Sequence, residues 1–290
     1  MSTRKTKQQR FEENWYWYLT GQRKEGVSPD YEFAVRVMRG TAGLLPGKPR
    51  CLECNRPMAG VGGWLSGTRP SSFNPRLCGV CERAMRSEEA GTELELTLLF
   101  ADVRGSTTLA AAHTTSEFKG LIQRFYQAAS DVLVHHNAMV NRLMGDQVIG
   151  LFAPRFAGTG HAKVAVAAAL DLLRATGHAD PNGPWIPVGI GVHTGVAYVG
   201  AVGSREGVNE IAVLGNAPNL AARLSSQAAA GEILVSEAAV VSARLATDEG
   251  GLERRHLDLK GISEPVDVRV LHAASLPASG DRVNDNQGSR

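Results

Sequence analysis

All four cysteines of the chain fall between residues 51 and 81, as Cys51-x-x-Cys54 and Cys78-x-x-Cys81 with 23 residues between the pairs. Two such pairs meet only if the intervening chain doubles back, so a compact, loop-rich module is dictated first. The stretch between them, MAGVGGWLSGTRPSSFNP, is dense in Gly, Pro and Ser and reads as turns rather than long regular elements. So small a module has little core of its own, and four thiolates around one ion are the staple it needs. Zinc is the expected ion, with an iron–sulfur cluster as the alternative. Disulfides are not expected in a reducing compartment, and a redox dithiol needs one pair only.

Charge divides the chain at about the same place. Residues 1–90 hold 15 Lys+Arg against 9 Asp+Glu, and the remainder 16 against 20, so a basic unit precedes an acidic one within a formal net charge of +2. The 290 residues are 43% apolar and 21% charged, a globular balance that excludes disordered and fibrous classes. No run approaches the roughly 18–20 apolar residues of a membrane helix, and MSTRKTKQQR lacks a signal peptide's apolar segment. A soluble cytoplasmic protein without membrane partners is expected. The basic excess alone does not make a nucleic-acid binder, because no recognition helix accompanies it.

Three units are read: residues 1–90, with a helical pattern over 8–39 and then the cysteine module; a catalytic-size domain over 91–275; and a disordered polar tail over 276–290. Residues 83–92 read as the link. The domain opens with a strand, Leu94 to Val103, whose apolar run grows toward its end as in a strand buried on both faces. A long helix follows to about His136, then two short strands over 139–152 hinged at Gly145-Asp146. Next come an apolar helix over 161–176, strands over 186–193 and 196–202, a strand from Glu210 to Leu214, and a helix containing Asn219 and Arg223. Shorter elements at 232–235, 236–244 and 265–272 complete it. The order βαββαβ with C-terminal additions is that of an α/β (α+β) ferredoxin-like palm.

Asp102 ends a buried strand and Asp146 lies in the hairpin turn, so two carboxylates stand at strand ends. Alone they prove little, since a turn Asp commonly just bonds its own backbone. Four surrounding strings carry more: Phe100-Ala-Asp-Val-Arg-Gly-Ser-Thr107, Leu143-Met-Gly-Asp-Gln-Val-Ile-Gly-Leu-Phe152, Val188-Gly-Ile-Gly-Val-His-Thr-Gly195 and Leu214-Gly-Asn-Ala-Pro-Asn-Leu-Ala-Ala-Arg-Leu224, followed by Leu259-Lys-Gly-Ile-Ser-Glu-Pro-Val266. In order and spacing they resemble the class III adenylate and guanylate cyclases over roughly residues 93–274.

The resemblance implies an enzyme that makes a 3′,5′-cyclic monophosphate and pyrophosphate from a nucleoside triphosphate, ATP favoured over GTP, with two Mg²⁺ or Mn²⁺ ions. Asp102 and Asp146 match the metal-binding aspartates, and Val103 supplies a backbone carbonyl. Gly105, Ser106 and Thr107 belong to the loop over the triphosphate, and Lys260 matches a lysine on its terminal phosphates. Asn219 and Arg223, spaced i, i+4 on one helix face, match the pair that orients the ribose and stabilises charge at the α-phosphate. In this family the metal site and the Asn/Arg pair come from opposite subunits, so a homodimer with two composite sites is implied and a monomer should be inactive.

The chain departs from the family at the base-reading positions, which are Arg142 and Ala212. Arginine still donates hydrogen bonds, but Ala212 offers nothing to an exocyclic amine. Glu210, on the same strand face, is the nearest substitute, although an exposed strand Glu commonly serves solvation alone. Base selectivity and efficiency are therefore open. Arg104 is expected at the triphosphate loop, facing phosphate or simply solvent, and His193 as a packed, hydrogen-bonded structural residue. Two further readings stay open: a silent nucleotide-binding regulatory module, and an interaction protein built on the cysteine ribbon.

Overall fold

The computed structural model describes residues 6–22, 37–71, 74–87, 90–203, 209–246, 252–262 and 264–273. The tail beyond 273, and with it the expected disordered segment, lies outside the described residues, as do Phe33 and Val35 of the expected N-terminal helix.

The first helix, α1 (Lys7–Thr20), starts at a capping box in which Thr6 and Gln9 satisfy each other's backbone N–H groups. It stops at Gly21 in the left-handed region, φ 71°. The helical pattern expected over 8–39 is therefore interrupted, and helix resumes over 37–43. The cysteine module holds two short helices, α2 (Gly60–Ser66) and α3 (Gly79–Ser87). The first corrects the expectation of turns alone. The second occupies the first half of the expected link, because Met85 is buried and Glu82 accepts from Arg86 one turn on.

The domain then runs β1 (Gly91–Val103), α4 (Ser106–Ala112), α5 (Thr115–His135), β2 (Met139–Met144), β3 (Gln147–Phe152), α6 (Pro154–Ala157), α7 (His161–Ala175) and β4 (Val188–Gly203). It ends with β5 (Asn209–Leu214), α8 (Asn216–Gln227), β6 (Glu232–Ser236), α9 (Glu237–Ala243), β7 (Glu253–Leu257) and β8 (Val266–His272). The strands form one sheet in the order β2-β3-β1-β4-β6-β8-β7, with β5 paired to the far half of β4. Its first four, β2-β3-β1-β4, are mutually antiparallel, as a ferredoxin-like palm requires. The long helix expected after β1 is two, because Thr114 starts a fresh capping box with Glu117. The two strands expected over 186–202 are one.

Alternation along β1 sorts two cores. Leu99, Ala101 and Val103 pack with Ile122, Phe125, Ala129 and Leu133 of α5 and with the buried faces of α7 and α9. Leu94, Leu96, Leu98 and Phe100 face the other way, against Ala217 and Ala221 of α8, Trp15 and Leu19 of α1, and the cysteine module. The module thus shares a core with the sheet it precedes. No described helix is long and apolar enough to cross a membrane.

Candidate functional site

Asp102 lies on β1 in register with Gln147 of β3 and Gly189 of β4, so it stands where three strands converge. Asp146 follows Gly145, whose φ of 63° makes the tight β2–β3 turn. The Val103 N–H donates to the Asp146 carbonyl at 3.0 Å, which fixes the two aspartates side by side. From α5, the Tyr126 hydroxyl donates to the Gly145 carbonyl at 2.6 Å and holds the turn from outside. Burial raises the Asp102 carboxyl above its ordinary range; Arg104 opposes this and the charge of Asp146 adds to it. Two half-buried carboxylates that repel each other, next to backbone carbonyls, are a donor set suited to hard divalent cations.

Arg104 is placed differently from the expectation. Its guanidinium turns back to pair with Asp102 and donates to the Ser226 carbonyl at the end of α8, 2.9 Å away. The cause is local: β1 ends at Val103, and the Arg104 N–H bonds the Pro187 carbonyl, which leaves the partly buried Asp102 as the nearest counter-charge. Gly105 then enters α4 in the left-handed region, with Ser106 half-buried and Thr107 exposed.

Asn219 and Arg223 project from the exposed side of α8, opposite the buried Ala217, Ala221, Leu224 and Ser225. The Val188-Gly-Ile-Gly string explains how that helix sits. A Cβ at Gly191 would lie 2.4 Å from the Ser225 nitrogen, and one at Gly189 would lie 2.6 Å from the Ala228 carbonyl oxygen. Only glycines let α8 close on β4. Among the described residues, no hydrogen bond or ion pair joins Asn219 or Arg223 to the aspartates. Lys260 is exposed between β7 and β8. Ala212 pairs with Gly200 on β5, and Glu210 two residues earlier shares its face. Arg142 pairs with Ile149 beyond an irregularity in β2; its side chain lies outside the described atoms. His193 Nδ1 meets Ser236 Oγ at 2.8 Å, and burial lowers its pKa to about 4.

The four cysteines converge. Their sulfurs all lie within 4.8 Å of one another, with Cys51–Cys81 at 3.8 Å and Cys54–Cys78 at 3.7 Å. A disulfide needs about 2.05 Å, whereas a tetrahedron of 2.3 Å zinc–sulfur bonds places its sulfurs about 3.8 Å apart. The Cys78 N–H donates to Cys51 Sγ at 3.2 Å, a bond that favours thiolate. Four sulfurs this close could hold one metal ion.

Three connections escaped the sequence reading: Tyr126 to the hairpin tip, Arg104 to Asp102, and a buried ion pair between Glu53 and Arg155 at 2.8 Å. Glu53 stands between the paired cysteines and Arg155 one turn after β3. Burial pushes the Glu53 carboxyl up to about 7, with Arg155 opposing. Only Glu53 carried a signal, as the charged residue of an otherwise apolar knuckle.

A profile of the family described as "Adenylate and Guanylate cyclase catalytic domain" matches residues 89–268. An adenylate cyclase of Mycobacterium tuberculosis is 31% identical over 201 residues, covering 68% of this chain and 43% of that protein. The chain thus spans under half the length of this curated relative. Among solved structures, the guanylyl cyclase Cya2 superposes with a TM-score of 0.56 at 26% identity, over 62% of this chain and 92% of that one. The adenylyl cyclase CyaB from P. aeruginosa does so at 0.54 and 24%, over 64% and 98%, a likeness of fold.

Proposed function

Because the chain belongs to the adenylate and guanylate cyclase catalytic-domain family, we propose that it converts a nucleoside triphosphate, ATP in preference to GTP, into the 3′,5′-cyclic monophosphate and pyrophosphate. The observation that carries this reading is the pairing of Asp102 with Asp146 through the Val103–Asp146 backbone bond. In the reaction the ribose 3′-oxygen bonds the α-phosphorus, the bond from that phosphorus to the bridging oxygen of the β-phosphate breaks, and the hydroxyl proton passes to water. Two Mg²⁺ or Mn²⁺ ions, when bound, would make the 3′-oxygen a better nucleophile and neutralise the triphosphate. Asp102, Asp146 and the Val103 carbonyl are the donors that would hold them.

The chain's own groups do the positioning. Asn219 orients the ribose, and the Arg223 fork meets the α-phosphate oxygens as charge gathers there. Lys260 takes the terminal phosphates, and Gly105 to Thr107, where the chain enters α4, lie over the triphosphate. Among the described residues no hydrogen bond or ion pair joins the Asn219 or Arg223 side chain to the aspartates, in keeping with the homodimer that the family resemblance implies, in which each subunit completes the other's site. The preference for ATP rests on the adenylate cyclases among the relatives. Ala212 offers no partner to the base, so discrimination between ATP and GTP is expected to be weak. At the cysteines we propose a single structural zinc.

The test is product formation from ATP and from GTP, in Mn²⁺ and in Mg²⁺, beside an Asp146→Asn control. Cyclic nucleotide that vanishes in the control supports the enzyme. No product from folded, dimeric protein in either metal would leave a silent nucleotide-binding module.

A further inference from the structure

We propose that the cysteine centre clamps both ends of the β2–β3 hairpin and so positions Asp146 at its tip, with Arg76 and Glu53 as the positioning residues. This rests on the reading of the cysteines as a metal centre and of Asp146 as a cation ligand.

Arg76 holds the start of the hairpin. It lies two residues before Cys78, and its carbonyl accepts from the Leu52 N–H at 2.8 Å, so its backbone is tied to the first cysteine knuckle. Its guanidinium reaches Asn137 Oδ1 at 2.5 Å. Asn137 stands at φ 59°, in the left-handed region that asparagine adopts more readily than most side chains. Next to it, the Ala138 carbonyl accepts from the Asn74 amide at 3.4 Å, and β2 begins at Met139.

Glu53 holds the other end. After β3 the chain turns through Ala153 and Pro154 to Arg155, which donates to Glu53 Oε2 at 2.8 Å and to the Trp17 carbonyl at 2.9 Å. The same guanidinium lies 4.1 Å over the Trp17 ring. Between the two ends, Met139 and Leu151 share a buried cluster with Cys51, Cys54, Leu77 and Cys78.

Glu53 belongs to the first cysteine pair, while Arg76 precedes the second. One ion bonded to both pairs fixes the distance between these grips, and losing it lets them part. Each strand of the hairpin has six residues, so its tip stands about 20 Å from its base. β3 is paired with β1 from Phe152–Thr97 to Gln147–Asp102, so a shift of its base is passed along this ladder toward Asp146.

The experiment uses the full-length protein without nucleotide. It measures zinc per chain, Mn²⁺ affinity by electron paramagnetic resonance, and hydrogen exchange of amides 139–152. Arg76→Ala is expected to retain zinc, to bind Mn²⁺ roughly threefold more weakly, the low end for residues that couple distant sites, and to exchange faster over 139–152. Arg76→Lys should recover part of the affinity, and Glu53→Gln should give the same signature as Arg76→Ala. Stripping zinc from the wild type should do likewise while the α7 amides stay protected. Wild-type Mn²⁺ affinity and exchange in zinc-loaded Arg76→Ala and Glu53→Gln would overturn the clamp. A wild-type chain without tightly held metal at the cysteines would overturn the reading beneath it. Mn²⁺ binding untouched by Asp146→Asn would instead remove the aspartate reading.

Discussion

Asp102 already has a cation beside it, the guanidinium of Arg104, with each side chain about one-fifth exposed. An incoming divalent ion must displace that partner, whose pairing at such partial exposure is worth about 1 kcal/mol. Arg104→Ala should therefore raise nucleotide-free Mn²⁺ affinity, by about fivefold for such an energy; a titration showing equal or weaker binding would contradict this. The buried and half-buried imidazoles give a second result at this scale. Burial lowers the pKa of His161, of His178 and, to about 4, of His193. The unfolded chain takes up these protons near pH 6.5, while the folded one resists until lower pH. Their contribution is complete above pH 6.5 and is lost as pH falls toward 4, with His193 alone contributing up to about 2–3 kcal/mol. Urea midpoints at pH 7.5 and 5 should differ accordingly, and His193→Asn should narrow the difference.

At the scale of elements, α8 depends on what β4 lacks. Gly191→Ala places a methyl against the Ser225 nitrogen and should cost about 1–3 kcal/mol by overpacking, measured by chemical denaturation, and shift Asn219 and Arg223 with the helix. The order of elements was legible in the sequence because period-two and helical patterns alternate cleanly from residue 93, and Gly145-Asp146 announces its own turn. Three features were not. Thr194-Gly195 looks like a break, yet β1 pairs with β4 straight through it, so one 16-residue strand stands where two were expected. Glu253–Leu257 reads ERRHL, with no apolar alternation, and becomes a strand by pairing with β8, where Arg254 meets Asp267, while Arg255 reaches past that strand to Glu232 of β6. The Gly60–Ser66 helix hides in a glycine-rich run. For the site, the motif positions of Asp102, Asp146, Asn219 and Arg223 could be read directly. Tyr126, Arg104 and Arg155 act through contacts between segments distant in sequence or through a side chain's turn, which no local pattern encodes.

Across the whole molecule, a basic cysteine module packs onto the sheet face that also carries α8, and the acidic palm carries Asp102 and Asp146 beside the β2–β3 turn and Asn219 and Arg223 on the exposed side of α8. Stripping metal from the cysteines should lower the melting temperature, since an ion bonded to both pairs would reinforce the core that the module shares with the sheet; an unchanged melting temperature in metal-stripped protein would deny it a structural role. The larger claim is that two chains complete each other's sites, and mixing inactive variants tests it most directly. Asp146→Asn and Arg223→Ala should each be inactive alone, while an equimolar mixture that exchanges subunits should regain about a quarter of wild-type activity, because half the dimers then carry one intact site. Mixed dimers that form and remain inactive, or a wild-type monomer that turns over, would contradict the account.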